Sequence, residues 1–314
     1  MHGGTEWSRS TDGGKTWRVE GMILAPTQHP KSSNALKLTL SPDGKTIYAY
    51  GARLFREIGE KFGGTCERDA VICKSVDGGR TWSTADKVPM SVDCPLEVSH
   101  GALPLASGRL LAPASTLPAK DRLGEQVLVA ISDDGGKSWP SHRVVMEDPN
   151  KRRGYFEHKL IELAPNRVLA TAWTVTLGEV RDCPNSFAIS NDGGATWGPV
   201  RSTGIDGQTL TPLSLGGNRL LVLYNRRHGH RGIVMCLVTF TDDAWTIQHE
   251  ALLYDAEPFK LKPASARQGL ASFDAFSFGF PIPISLQDKT VLATYWCREN
   301  GKSEIRWAKL GVDW

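Results

Sequence analysis

Short apolar runs, alternating or continuous, recur along the whole chain with turn-forming residues between them. Residues 35–40 alternate apolar positions with Lys37 and Thr39, a Pro-Asp-Gly turn follows, and 46–50 is apolar again. The same layout returns at 102–105 with 109–112, 159–163 with 167–170, 211–215 with 219–223, and 281–286 with 291–294. Runs of this length punctuated by Gly, Asn and Asp predict β-hairpins. A second pattern is interleaved with the first. Ser10, Asp12, Thr16 and Trp17 surround a Gly-Gly pair, and so do Ser75, Asp77, Thr81 and Trp82. Ser132, Asp134, Ser138 and Trp139 repeat it, then Ser190, Asp192, Thr196 and Trp197. A degenerate fifth copy runs from Thr239 to Trp245 without the glycines.

The box has a mechanical explanation. An Asp that opens a tight turn accepts hydrogen bonds from backbone N–H groups just ahead of it. Gly-Gly allows positive φ without a Cβ clash, and Trp covers the turn with a large apolar face. Each repeating unit therefore reads strand, turn, strand, loop, strand, Asp-rich turn, strand, which is a four-stranded propeller blade. The expected fold is all-β: one domain over 1–314, a six-bladed β-propeller whose first blade is incomplete. Only nine residues precede Ser10, where three strands of the blade would be needed, so the first blade is expected to lack its two inner strands.

Composition narrows the function class. Hydrophobic residues at 40% and charged residues at 23% suit a packed domain, and no apolar run is long enough to span a bilayer. The net charge of +3 is too mild for a nucleic-acid binder. Neither a C-x-x-C pair nor a His cluster with metal-site spacing occurs, so no metal or other cofactor is expected. Residues 1–6 lack the basic and apolar regions of a secretory leader.

The boxes resemble the Asp-box, or BNR, repeats of the sialidase (neuraminidase) superfamily, and the hairpins between them look similar over nearly the whole chain. That resemblance implies a six-bladed propeller, hydrolysis of a glycosidic bond and, if the start is truncated, a secreted or periplasmic location. It also implies arginines that clamp a substrate carboxylate, a Tyr nucleophile helped by a Glu, and an Asp acid/base. Glu157 sits where the family's Glu precedes an apolar strand, and Arg226 or Arg227 resembles a clamp arginine. The pattern departs where the Tyr is expected, since 276–280 reads Phe-Ser-Phe-Gly-Phe. It departs again where Trp173 stands near the expected second arginine.

Blade geometry adds candidates of its own. The boxes occupy one rim, which leaves the other, where first strands begin and second strands end, as the ligand face. Arg53, Arg226 and Arg298 fall just after second strands there; Glu97, His100, Glu157, His158 and Asp274 lead into first strands, and His228 lies in the loop after Arg227. Carboxylates among converging arginines suit an acidic sugar, with Glu157 and either Glu97 or Asp274 as the acid/base pair. The expected activity is exo-acting hydrolysis of a terminal acidic sugar, with a glycan as partner and neither nucleic acid nor membrane insertion. Two alternatives are a polysaccharide lyase on uronate-containing glycans, with His or Tyr as the base, and a non-catalytic glycan-binding propeller.

Overall fold

The computed structural model describes residues 3–55, 66–259 and 276–314. Among these residues the regular structure is β, apart from one 3-10 turn at Glu257–Phe259. Every sheet is antiparallel and is built from its own stretch of chain. β1 (Thr5–Arg9) and β2 (Arg18–Leu24) form a two-stranded ribbon. The next sheet runs, in order, β3 (Ser32–Leu40), β4 (Ile47–Phe55), β5 (Arg68–Ser75) and β6 (Asp86–Lys87). In the third, β7 (Leu96–Glu97) and β8 (Leu103–Pro104) both pair with β9 (Leu110–Thr116), followed by β10 (Gln126–Ser132) and β11 (Ser141–Glu147).

The fourth sheet holds β12 (Arg153–Ala164), β13 (Arg167–Thr176), β14 (Asp182–Ser190) and β15 (Arg201–Ser202). The fifth holds β16 (Gln208–Ser214), β17 (Arg219–Arg226), β18 (Gly232–Phe240) and β19 (Trp245–Asp255). The last is three-stranded: β20 (Phe278–Ser285), β21 (Val291–Glu299) and β22 (Lys302–Leu310). The fold is thus a propeller of five blades, with the ribbon β1–β2 standing in the place of the incomplete sixth.

The core lies between neighbouring blades, as a propeller requires. Tyr50 and Ile72 of the second sheet pack with Leu110, Ala112 and Leu128 of the third. Val127 and Val129 pack with Leu160 and Ala170, and Phe187 with Val222 and Val234. Leu221 and Leu223 meet Val291 and Ala293 of the last sheet. The ribbon is seated on the second sheet through Trp7 and Ile23, against Leu36, Val71 and Cys73.

The Asp boxes do the structural work that their residues imply. In the second, Asp77 accepts the backbone N–H of Thr81 at 3.0 Å and its hydroxyl at 2.6 Å, while the Ser75 hydroxyl donates to it at 2.8 Å. The same three contacts recur at Asp12, Asp134 and Asp192. They hold the Asp12 carboxyl down at about 2, the Thr16 hydroxyl contributing most. The second glycine of a box also seats it on the blade before. Gly79 adopts φ +89°, and a Cβ there would stand 2.6 Å from the Trp7 ring. Gly14 likewise faces Leu292 of the last sheet, which closes the ring.

Candidate functional site

A cavity of about 220 Å³ opens on the rim opposite the boxes. Its walls come from the start of β5, the ends of β4 and β7, and the inner strands β3, β12 and β20. Most of the wall is apolar, from Ala35, Ala52, Leu54, Val98 and Phe156, and four charged side chains interrupt it: Lys37, Arg68, Glu97 and Glu157.

Irregular inner strands create this arrangement. β12 slips register between Phe156 and Lys159, β16 between Gln208 and Thr211, and β20 between Gly279 and Ile282. The inner strand of the third sheet is broken outright into β7 and β8. Glu157 and Phe280 both take φ +49° at their bulges, a conformation that costs energy for any residue with a Cβ. Bulges re-aim side chains. Here both re-aimed residues line the cavity.

The charges in the cavity perturb one another. The backbone N–H of Glu157 donates to Glu97 Oε2 at 3.2 Å, so the two glutamates meet at one wall. Burial raises the Glu97 carboxyl from its ordinary 4.5 to about 7, and the Glu157 charge adds to the rise against opposing contributions from Ser99 and Arg68. Burial pulls Lys159 down to about 8, and its ammonium donates to Thr211 Oγ1 at 2.7 Å. Lys37 is lowered for the same reason, with Glu157 and Glu97 pulling the other way. Both ammonium groups stand over the Phe280 ring, at 5.4 Å for Lys37 and 5.5 Å for Lys159.

A second polar cluster adjoins the cavity through Phe156, whose ring stacks on Trp173 at 4.5 Å. The Trp173 indole N–H donates to Asp182 Oδ1 at 2.9 Å, and the Gln208 amide donates to Asp182 Oδ2 at 3.1 Å. His228 Nε2 completes the set, 2.9 Å from the same Oδ2. Arg227 Nε donates to Gln208 Oε1 at 3.2 Å, and its guanidinium lies 4.0 Å from the Phe276 ring and 4.3 Å from the Phe278 ring. Burial lowers Arg227 to about 9, with Glu157 and Asp182 opposing the fall, so it stays charged at neutral pH.

The structure brings together some of the sequence-predicted residues and separates others. Glu97 and Glu157 meet, and Arg227 is buried in the adjoining cluster with His228. His158 is buried and His100 half-buried near the lysines; loss of solvent holds His158 down at about 3 and His100 well below its ordinary value, so both are neutral. His158 Nε2 and His100 Nδ1 have no hydrogen-bond partner among the described residues. The expected convergence of Arg53, Arg226 and Arg298 is not what the fold makes. Arg226 donates to Glu250 at 2.7 Å and to the His230 carbonyl. Arg53 alternates with the cavity-lining Ala52 and Leu54 and reaches Asn34 instead, and Arg298 is exposed. Asp274 lies outside the described residues.

Sequence reasoning passed over Lys37, Arg68 and Lys159, and met Phe280 only as part of the stretch that lacks a Tyr. Lys37 sits at a polar position of an alternating run, which reads as a solvent face. Lys159 offered a signal, being a lysine inside the apolar run that follows Glu157.

A family model described as the BNR repeat-like domain matches residues 52–292. Among curated proteins, the sialidase of Micromonospora viridifaciens is 27% identical over 212 residues, which cover 61% of this chain and 30% of that relative. The chain therefore spans less than a third of the curated relative's length. Among solved structures, a protein of unknown function from Dyadobacter fermentans DSM 18053 superposes with a TM-score of 0.70 at 23% identity, covering 97% of this chain and 82% of its own. The NanB sialidase from Streptococcus pneumoniae gives 0.66 at 12% identity, covering 97% and 63%. At these identities the structural likeness establishes the fold.

Proposed function

Because the chain belongs to the BNR repeat-like domain family of the sialidase propeller superfamily, we propose that it is a glycoside hydrolase that releases a terminal acidic sugar from glycans. One observation carries this reading. Glu97 and Glu157 meet at the cavity wall, and Glu97 is held near 7 while most carboxyls ionise well below that. Glycosidases use two carboxyl groups in different protonation states, one giving a proton to the leaving oxygen and the other attacking or activating water. Glu97 is the general acid in this scheme and Glu157 the second carboxylate. No Tyr is then needed at the position that Phe278 or Phe280 occupies.

Arg68 on the cavity wall and Arg227 beside it supply positive charge for an acidic substrate. The sialidases among the relatives support an acidic terminal sugar, and a cavity smaller than the ~300–1,000 Å³ of drug-sized ligands favours one sugar unit over an internal stretch of polymer. The test is a set of fluorogenic glycosides carrying sialic acid, uronic acids or neutral sugars. Turnover of an acidic glycoside, abolished by Glu157→Gln with binding retained, supports the reading. Glycan binding without turnover, unchanged by Glu157→Gln, overturns it in favour of a binding propeller.

A second reading, β-elimination on a uronate-containing glycan, draws on one particular observation. His228 is oriented by the Asp182 carboxylate beside Arg227, an arrangement suited to abstracting a proton next to an arginine-neutralised carboxylate. An unsaturated, ultraviolet-absorbing product from a uronate polymer, lost in His228→Gln, would replace hydrolysis with this reading.

A further inference from the structure

Lys37 stands out among the charged groups of the cavity. Its side chain lines the wall, yet its ammonium makes no hydrogen bond or ion pair to a described residue; it stands over the face of Phe280, with the Glu157 and Glu97 charges acting on it. Lys159, over the same ring, is held by Thr211 and adds a like charge nearby. An amine beside a second cation in a mostly apolar pocket is the setting in which lysine acts as a nucleophile towards carbonyl groups. The same wall carries Glu97, a carboxyl able to give and take a proton, and Arg68, a guanidinium able to pair with a carboxylate.

We propose that the cavity captures small 2-oxo acids as an imine on Lys37 Nζ, an activity separate from glycoside cleavage. Arg68 pairs with the acid's carboxylate and so presents the adjacent carbonyl carbon to the amine. The nitrogen attacks that carbon, the carbonyl π bond breaks, and the oxygen takes the proton of Glu97. The Glu97 carboxylate then removes a proton from the nitrogen and returns it to the hydroxyl. The C–O bond breaks, water leaves, and the nitrogen lone pair closes the C=N bond. The Glu97 carboxylate finally takes the remaining proton from the iminium nitrogen, so one water is released, Glu97 is regenerated, and no oxidant or reductant is consumed. Burial lowers both Lys37 and Lys159, which increases the share of neutral amine available for the first step.

The full chain is incubated with pyruvate and sodium cyanoborohydride, which reduces the imine to a stable amine, and the adduct is followed by intact mass and peptide mapping. The expected result is one adduct, of pyruvate less water plus two hydrogens, on Lys37. At neutral pH it should form faster than at exposed Lys45, because burial lowers Lys37 and so raises its share of unprotonated amine. Lys159→Met should leave the adduct on Lys37 but move the midpoint of its rate–pH profile upward, since a neighbouring cation is gone. Labelling of Lys37 no faster than of Lys45, or an unchanged profile in Lys159→Met, overturns the proposal. Glycoside turnover in the same preparation is read separately, so loss of the adduct with turnover retained removes this inference alone.

Discussion

Replacing Glu97 by Gln should stabilise the protein, and only above a defined pH. A carboxyl that ionises at 4.5 in the unfolded chain and at about 7 in the folded one carries a penalty in its charged form. Between those values the folded protein holds a proton that the unfolded chain releases, so stability falls as pH rises through the window. Below 4.5 both states are protonated and the penalty vanishes. Above 7 it amounts to about 3 kcal/mol, from about 1.4 kcal/mol for each pKa unit. Gln is neutral and nearly isosteric, and its side-chain carbonyl still accepts the Glu157 N–H. Urea denaturation of wild type and Glu97→Gln across this range should show matching stabilities at the acid end. The variant should pull ahead towards ~3 kcal/mol at the alkaline end. A gap independent of pH, or a variant less stable above 7, would refute the claim that Glu97 is held protonated by its surroundings. The same substitution should abolish glycoside turnover, a gain in stability at the expense of function.

The two adjacent arginines should separate cleanly. Arg226→Ala removes a partly exposed pair with Glu250 and should change stability by about 0–1 kcal/mol, with acidic-ligand affinity intact. Arg227→Ala should weaken that affinity by ~1.5–3 kcal/mol and, because the guanidinium is buried against two aromatic rings, also lower stability; calorimetry and thermal melts test both. Gly79→Ala, at φ +89° with Trp7 in the way, should cost ~2–3 kcal/mol, whereas Gly78→Ala, at φ +74° in open space, should cost about 1 kcal/mol; equal midpoint shifts in urea would contradict the seating of the box on Trp7. Trp173→Phe keeps the stacking on Phe156 but strips Asp182 of one donor, and should destabilise by ~1–3 kcal/mol in the same assay.

Local chemistry made the frame of this protein readable from its residues. Each Asp box closes on itself through contacts two to four residues apart, as at Ser75, Asp77 and Thr81, so its geometry needs nothing from the rest of the chain. The hairpins between boxes follow from apolar runs and turn residues, and repetition then implies the ring. Glu97 and Glu157 could be named because the lead-in to a first strand reaches the ligand rim wherever the blade pattern holds.

What no local pattern carries is the direction in which an inner strand aims its side chains once neighbouring blades close around it. Lys37 alternates with Leu36 and Leu38 as a solvent-facing residue would, but a strand beside the propeller axis has an enclosed cavity where an outer strand has water. Positive φ at Glu157 and Phe280 has no sequence signal, because these residues do not favour it; packing imposes it and so turns both into the cavity. Arg226 and Arg227 are identical in type and adjacent in sequence, yet one pairs with Glu250 near the surface and the other is buried between phenylalanines. The residues themselves determined strands, turns and blades, since those rest on short-range bonding. Tertiary structure decided which charges share a low-dielectric space, because that depends on contacts between strands far apart in the chain.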